Sequence, residues 1–117
     1  MSASIDGFYA VYMSGKLGQG FAMLVFRGGR IVGADASGFM FDGQYSEPVD
    51  DILSVRLSVK APPNQPVIQG GTTGPQGEQS QLIFEMPRDF SSREFVRIET
   101  QRGPVNAKLV RLRGLDE

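Results

Sequence analysis

Three carboxylates stand close together in this chain: Glu47, Asp50 and Asp51, within Ser46-Glu47-Pro48-Val49-Asp50-Asp51. Pro48 removes a backbone donor and fixes φ, so the chain is expected to turn there and display negative charge at the bend. Such a turn does one of two things. It docks a basic partner, because charges at a rim set association rate and partner choice. Alternatively it is merely solvated and discourages an edge from pairing. Asp35 and Asp42 flank another segment and are the remaining candidates for paired-carboxylate or metal chemistry. No third ligand converges on them, and turn capping explains Asp35 equally well.

Other chemistries fail on residue type. With no histidine and no cysteine, the chain offers no Ser-His-Asp or Cys-His nucleophile, no His/Cys zinc site and no disulfide. Acid-base work would fall to carboxylates, lysine or tyrosine, and no nucleophile-base pair can be assembled, so neither enzymatic activity nor a cofactor or metal is expected. Gly15 to Gly20 lacks the G-x-x-x-x-G-K-[ST] phosphate loop, since Leu17 follows Lys16, and reads as a turn. Arg27-Gly28-Gly29-Arg30 resembles an RNA-binding arginine-glycine element, but one copy between strands reads as a hairpin turn. Twelve basic against thirteen acidic residues give a net charge of -1, without the positive field that direct nucleic-acid binding requires.

One more set has a chemical use. Phe8, Tyr12, Phe21, Phe39, Phe41 and Tyr45 fall at strand spacing and are candidates to line a cavity for an apolar ligand. Aromatics in that pattern are more often simply core.

The segments that must position these residues alternate with a two-residue period. Leu53, Val55, Leu57 and Val59 oppose Ser54, Arg56, Ser58 and Lys60, which makes a strand with one apolar face. Before it, Phe39, Phe41 and Tyr45 share a face, with Gly43 a place to bend or bulge. Ile5 to Ser14 sets Phe8, Ala10 and Tyr12 against Tyr9, Val11 and Met13, and Gln19 to Phe26 is likewise apolar on both faces. Short strands are expected from Ile31 to near Asp35, over Ser80 to Met86, over Glu94 to Gln101 and over Asn106 to Arg113. Pro87 to Ser92 has room for one short helical turn. Ala61 to Gln79 holds Pro62, Pro63, Pro66 and Pro75 and few aliphatics, and reads as a long, mobile loop.

The expectation is one all-β domain spanning 1–117: an eight-stranded antiparallel up-and-down barrel, with a two-sheet sandwich as the alternative. Where β-strands are apolar on both faces and no helix is available to cover the outer one, a second subunit is the expected cover. No basic region followed by an apolar run opens the chain, and no segment approaches the roughly 20 apolar residues that span a bilayer. A cytoplasmic homodimer is expected.

Several motifs go further. Asp6-Gly7-Phe8-Tyr9, Gly18-x-Gly20, Gly33-Ala34-Asp35, Phe41-Asp42-Gly43-Gln44-Tyr45 and Ser46-Glu47 followed by Asp50-Asp51-Ile52-Leu53 together resemble the GrlR-like negative regulators. These are lipocalin-like small β-barrel proteins that repress type III secretion genes. Pro48 and Val49 interrupt the family's acidic run. The resemblance implies a dimer that sequesters a transcriptional activator, with Glu47, Asp50 and Asp51 as the protein-partner contact. The alternative function is an intracellular binder or sensor of a small apolar ligand in the barrel interior.

Overall fold

The computed structural model describes residues 4–116. It is all-β, with eight strands: β1 (Gly7–Ser14), β2 (Gln19–Arg27), β3 (Arg30–Ala34), β4 (Met40–Val49), β5 (Ile52–Ala61), β6 (Glu78–Pro87), β7 (Val96–Thr100) and β8 (Gly103–Arg113). A single 3-10 turn, Phe90–Ser92, joins β6 to β7. The eight-strand antiparallel meander read from alternation is therefore the fold, helical turn included.

Hydrogen-bonded order runs β6-β5-β4-β3-β2-β1-β8-β7, so the sheet coils until β6 and β7 face each other across one seam. That is a nearly closed barrel, not a sandwich. The seam is bridged by side chains: Arg102, in the β7–β8 turn, forms an ion pair with Glu78 at the start of β6. Within the wall the register pairs Ala10 with Met23 and with Val110, and Phe41 with Val59. Inward positions are Tyr9 and Val11 on β1, Leu24 and Phe26 on β2, Leu53, Val55 and Leu57 on β5, and Ala107 and Leu109 on β8. All of them are buried in one core cluster.

Gly43 serves close approach between strands, and the bulge of β4 lies further on, between Ser46 and Val49. A Cβ on Gly43 would sit 2.2 Å from the Arg56 carbonyl oxygen and 2.9 Å from Leu57 Cα. Only glycine lets β5 lie this close to β4 at that position, where the register runs on unbroken.

At the acidic stretch, β4 continues through Pro48 to Val49, so the turn itself is only Asp50-Asp51. Ser46 pairs with Ser54 and Val49 with Ile52, which leaves Glu47 and Pro48 opposite Leu53 as a bulge. A bulge is one of the few places a sheet accepts proline. Asp51 carries the turn with φ of 69°.

Where the sequence suggested a mobile loop, the structure forms a folded element. Residues 62–77 build a small hairpin with an isolated bridge between Pro66 and Thr72. Thr73, 3% exposed, stitches it together: its hydroxyl donates to the Pro62 carbonyl (2.6 Å) and accepts from Gln65 N–H (2.9 Å).

Candidate functional site

Alternation sends one set of side chains inward along every strand, and a barrel of eight strands leaves room for them and one small ligand. Here the two ends of the interior differ. At the end made by the β2–β3 and β4–β5 turns, aromatic rings close the tube. Tyr9 and Phe26 have ring centroids 4.9 Å apart, Phe90 stacks on Phe26 at 5.4 Å, and Tyr45 joins Phe26 at 5.5 Å. Phe90 comes from the 3-10 turn and is 1% exposed, so the β6–β7 connector is part of this floor. Lys108 anchors the connector by donating from Nζ to the carbonyls of Ser91 and Arg93.

The floor tyrosines spend their hydroxyls on fixed partners. Tyr9 donates to the Ile5 carbonyl (2.6 Å), and Tyr45 donates to Asp6 Oδ1 (3.0 Å). Asp6 Oδ2 accepts from Gly28 N–H at 3.1 Å. Burial pushes both phenols above their ordinary value of 10.0, and for Tyr45 the bond to Asp6 adds to the rise. These bonds fix the two rings in the floor.

Above the floor the interior is not filled. A cavity of about 620 Å³ runs up to the other end of the barrel. Its walls are mainly aliphatic, among them Val11, Leu57, Val59, Leu82 and Ile98, with Phe39 and Phe41 contributing rings. Polar lining is confined to the mouth, where Gln19, Asp35, Ser37, Gln69 and Thr100 lie at strand ends or in loops. Asp35 is held by an Asx turn, its Oδ1 accepting from the backbone N–H groups of Ser37 (2.9 Å) and Phe39 (3.0 Å).

The 62–77 hairpin lies across this mouth. Leu17 N–H donates to the Ile68 carbonyl at 3.0 Å, and Gln69 Nε2 donates to Thr100 Oγ1 at 3.1 Å. Gly15 is what permits the approach, because a Cβ on it would lie 2.5 Å from the Ile68 oxygen. Val67 and Ile68, the hairpin's two large aliphatics, border the cavity.

The candidate aromatics divide among four places. Phe39 and Phe41 line the cavity, and Tyr45 belongs to the floor instead. Phe21 borders the mouth, but its half-exposed ring packs on Tyr12 with centroids 5.2 Å apart. Tyr12, 54% exposed, lies on the outer face. Phe8 shares that face, partly exposed beside Val25. Tyr12 and Phe8 are therefore corrected as lining residues: the inward set of β1 is Tyr9, Val11 and Met13. The aliphatic walls were missed as site residues, although the alternation from Leu53 to Val59 signalled that they share a face.

The acidic trio also divides. Glu47 Oε1 forms an ion pair with Arg88 Nη1 at 2.6 Å, with side-chain exposures of 28% and 21%, and Glu47 Oε2 accepts from Asp51 N–H at 2.7 Å. Arg88 N–H donates to the Asp51 carbonyl at 2.8 Å. Glu47 thus clamps the β4–β5 turn to the chain leaving β6, while Asp50 and Asp51 remain exposed.

No family model matches this chain, and no curated protein matches it. Among the described residues, no three His, Cys, Asp or Glu side chains come together as a metal site, and no helix is long and apolar enough to cross a membrane.

Proposed function

We propose that this protein binds one small apolar molecule inside its barrel and acts through that binding, not through catalysis. The carrying observation is the cavity of about 620 Å³ over an aromatic floor. Protein interiors are normally packed to the density of organic crystals, whereas a ligand pocket spans roughly 300–1,000 Å³ with apolar walls and a few polar groups. Each methylene moved from water into such walls contributes about 0.8 kcal/mol, so an alkyl or ring system supplies the affinity and the mouth supplies orientation. The test is titration with the neutral dye Nile red. Saturable binding of one dye per chain, lost in Val59→Trp, supports the reading; binding that never saturates, or that survives the plug, overturns it.

A second reading, a homodimer that docks a protein partner, is favoured by the barrel's outside. Val110, Met23, Ala34 and Met40 are exposed at paired positions across β8, β2, β3 and β4, on either side of buried Ala10 of β1, and Tyr12, Phe21 and Val32 stand exposed around them. Contiguous apolar surface of this kind marks an interface, and a second copy covers it with the same patch. In this reading the acidic turn engages a basic partner, such as a transcriptional activator, through Asp50 and Asp51, since Glu47 is committed to Arg88. Sedimentation equilibrium tests the dimer: Met23→Lys together with Val32→Lys should yield a monomer that still binds Nile red. A wild-type chain that is monomeric at every concentration removes this reading.

A further inference from the structure

The barrel-ligand reading leaves open what kind of molecule enters, and the mouth bears on that. None of the described lining residues is lysine or arginine, and the one charged side chain among them is Asp35. Cations at this end of the barrel are placed elsewhere. Lys16 and Lys60 are exposed and do not line the cavity. Arg102 is engaged by Glu78 and by the Thr72 carbonyl. A carboxylate or phosphate head would therefore meet no positive partner and would sit beside a negative one, in a site partly screened from water where like charges repel more strongly. A hydroxyl or amine head meets the opposite situation, because Asp35 offers a carboxylate held in place by its two backbone bonds.

We infer that the ligand is an apolar molecule whose head donates a hydrogen bond and carries no negative charge, seated with its apolar part toward the floor and its O–H or N–H at Asp35. Acidic amphiphiles such as fatty acids are selected against by the same carboxylate. The 62–77 hairpin lies over the head, and Gln69 and Thr100, already bonded to each other, border the same opening.

The experiment measures displacement of Nile red from the full chain, near neutral pH and below micelle-forming concentrations, by dodecanol, dodecylamine and dodecanoic acid. These share a tail and differ only in the head. The alcohol and the amine are expected to displace the dye at concentrations roughly tenfold lower than the acid. Asp35→Asn keeps the Asx-turn acceptor and removes the charge. In that variant the acid should gain roughly tenfold, the amine should weaken, and the alcohol should hold. Equal displacement by all three, tightest displacement by the acid, or no displacement of a dye that does bind overturns the head-group inference while the barrel remains a binding site. Loss of acid displacement in Lys16→Ala overturns it too, since a cation would then be reading the head. If Nile red itself does not bind saturably, the underlying function fails first, so the two failures are distinguishable.

Discussion

Replacing Val59 with tryptophan tests the cavity directly, because the chain contains no tryptophan of its own and the new indole reports on its surroundings. Val59 lies on β5, between Phe41 on β4 and Ser80 on β6, and borders the cavity. In a fully packed core, adding a ring system to a central strand costs about 1–3 kcal/mol through strained rotamers and shifted backbone. In a void of about 620 Å³ the ring has somewhere to go. It buries apolar area worth roughly 1.5–3 kcal/mol for a large side chain and gives the lining atoms partners they lacked. Set against the burial already made by valine and the entropy of fixing the indole, the expected change is between about 0 and 2 kcal/mol of stabilisation. Urea unfolding reads the stability, intrinsic fluorescence reads the burial, and Nile red titration reads the occupancy. The midpoint should hold or rise, the emission should be that of an indole in apolar surroundings, and dye binding should fall away. A loss of 2 kcal/mol or more, or the emission of a water-exposed indole, would refute the reasoning, because either means that no room exists above the floor.

The remaining predictions concern the frame that keeps this interior open. Phe90→Ala removes the ring that packs against both Tyr9 and Phe26 and should cost about 3–5 kcal/mol in urea unfolding, as buried Phe-to-Ala changes do; a loss under about 1 kcal/mol would show that the floor does not depend on it. Glu47→Ala breaks the Arg88 pair and the bond to Asp51 N–H and should cost about 1 kcal/mol after allowing for solvent screening. Hydrogen exchange at Asp51 should accelerate in the same variant, and unchanged exchange would remove the clamp. High pH gives the last test: the folded state keeps the Tyr9 and Tyr45 phenol protons above their ordinary value of 10.0. The unfolded chain therefore releases protons first, so stability is fully present below about pH 10 and declines as pH rises past it. Tyr45→Phe should shallow that decline, and a slope equal to that of the parent chain would mean that Tyr45 contributes nothing to it.

Much of the frame was readable from local pattern. Alternation from Leu53 to Val59 gave β5, the paired glycines at Gly28-Gly29 gave the β2–β3 turn, and the short Pro87 to Ser92 segment gave its single helical turn. Period-two patterning reports which side chains share a face, and it is a local property. It does not say which face looks inward. In β1 the sets Phe8, Ala10, Tyr12 and Tyr9, Val11, Met13 are both apolar, so nothing along the strand separates them. The choice follows from the barrel's closure, which sets Tyr9 against Phe26 and Phe90.

By itself, then, the chain's order of residues determined the number of strands, their antiparallel succession and the chemistries closed to a protein without histidine or cysteine. Tertiary structure decided the rest. It folded the proline-rich 62–77 segment over the mouth, where Ile68 meets Leu17 and Gln69 meets Thr100. It also spent Glu47 on Arg88, 41 positions away, and left the interior short of full packing. Each of these outcomes depends on residues far apart in sequence meeting in space, and a side chain's role at such a meeting is set by the partner it finds there.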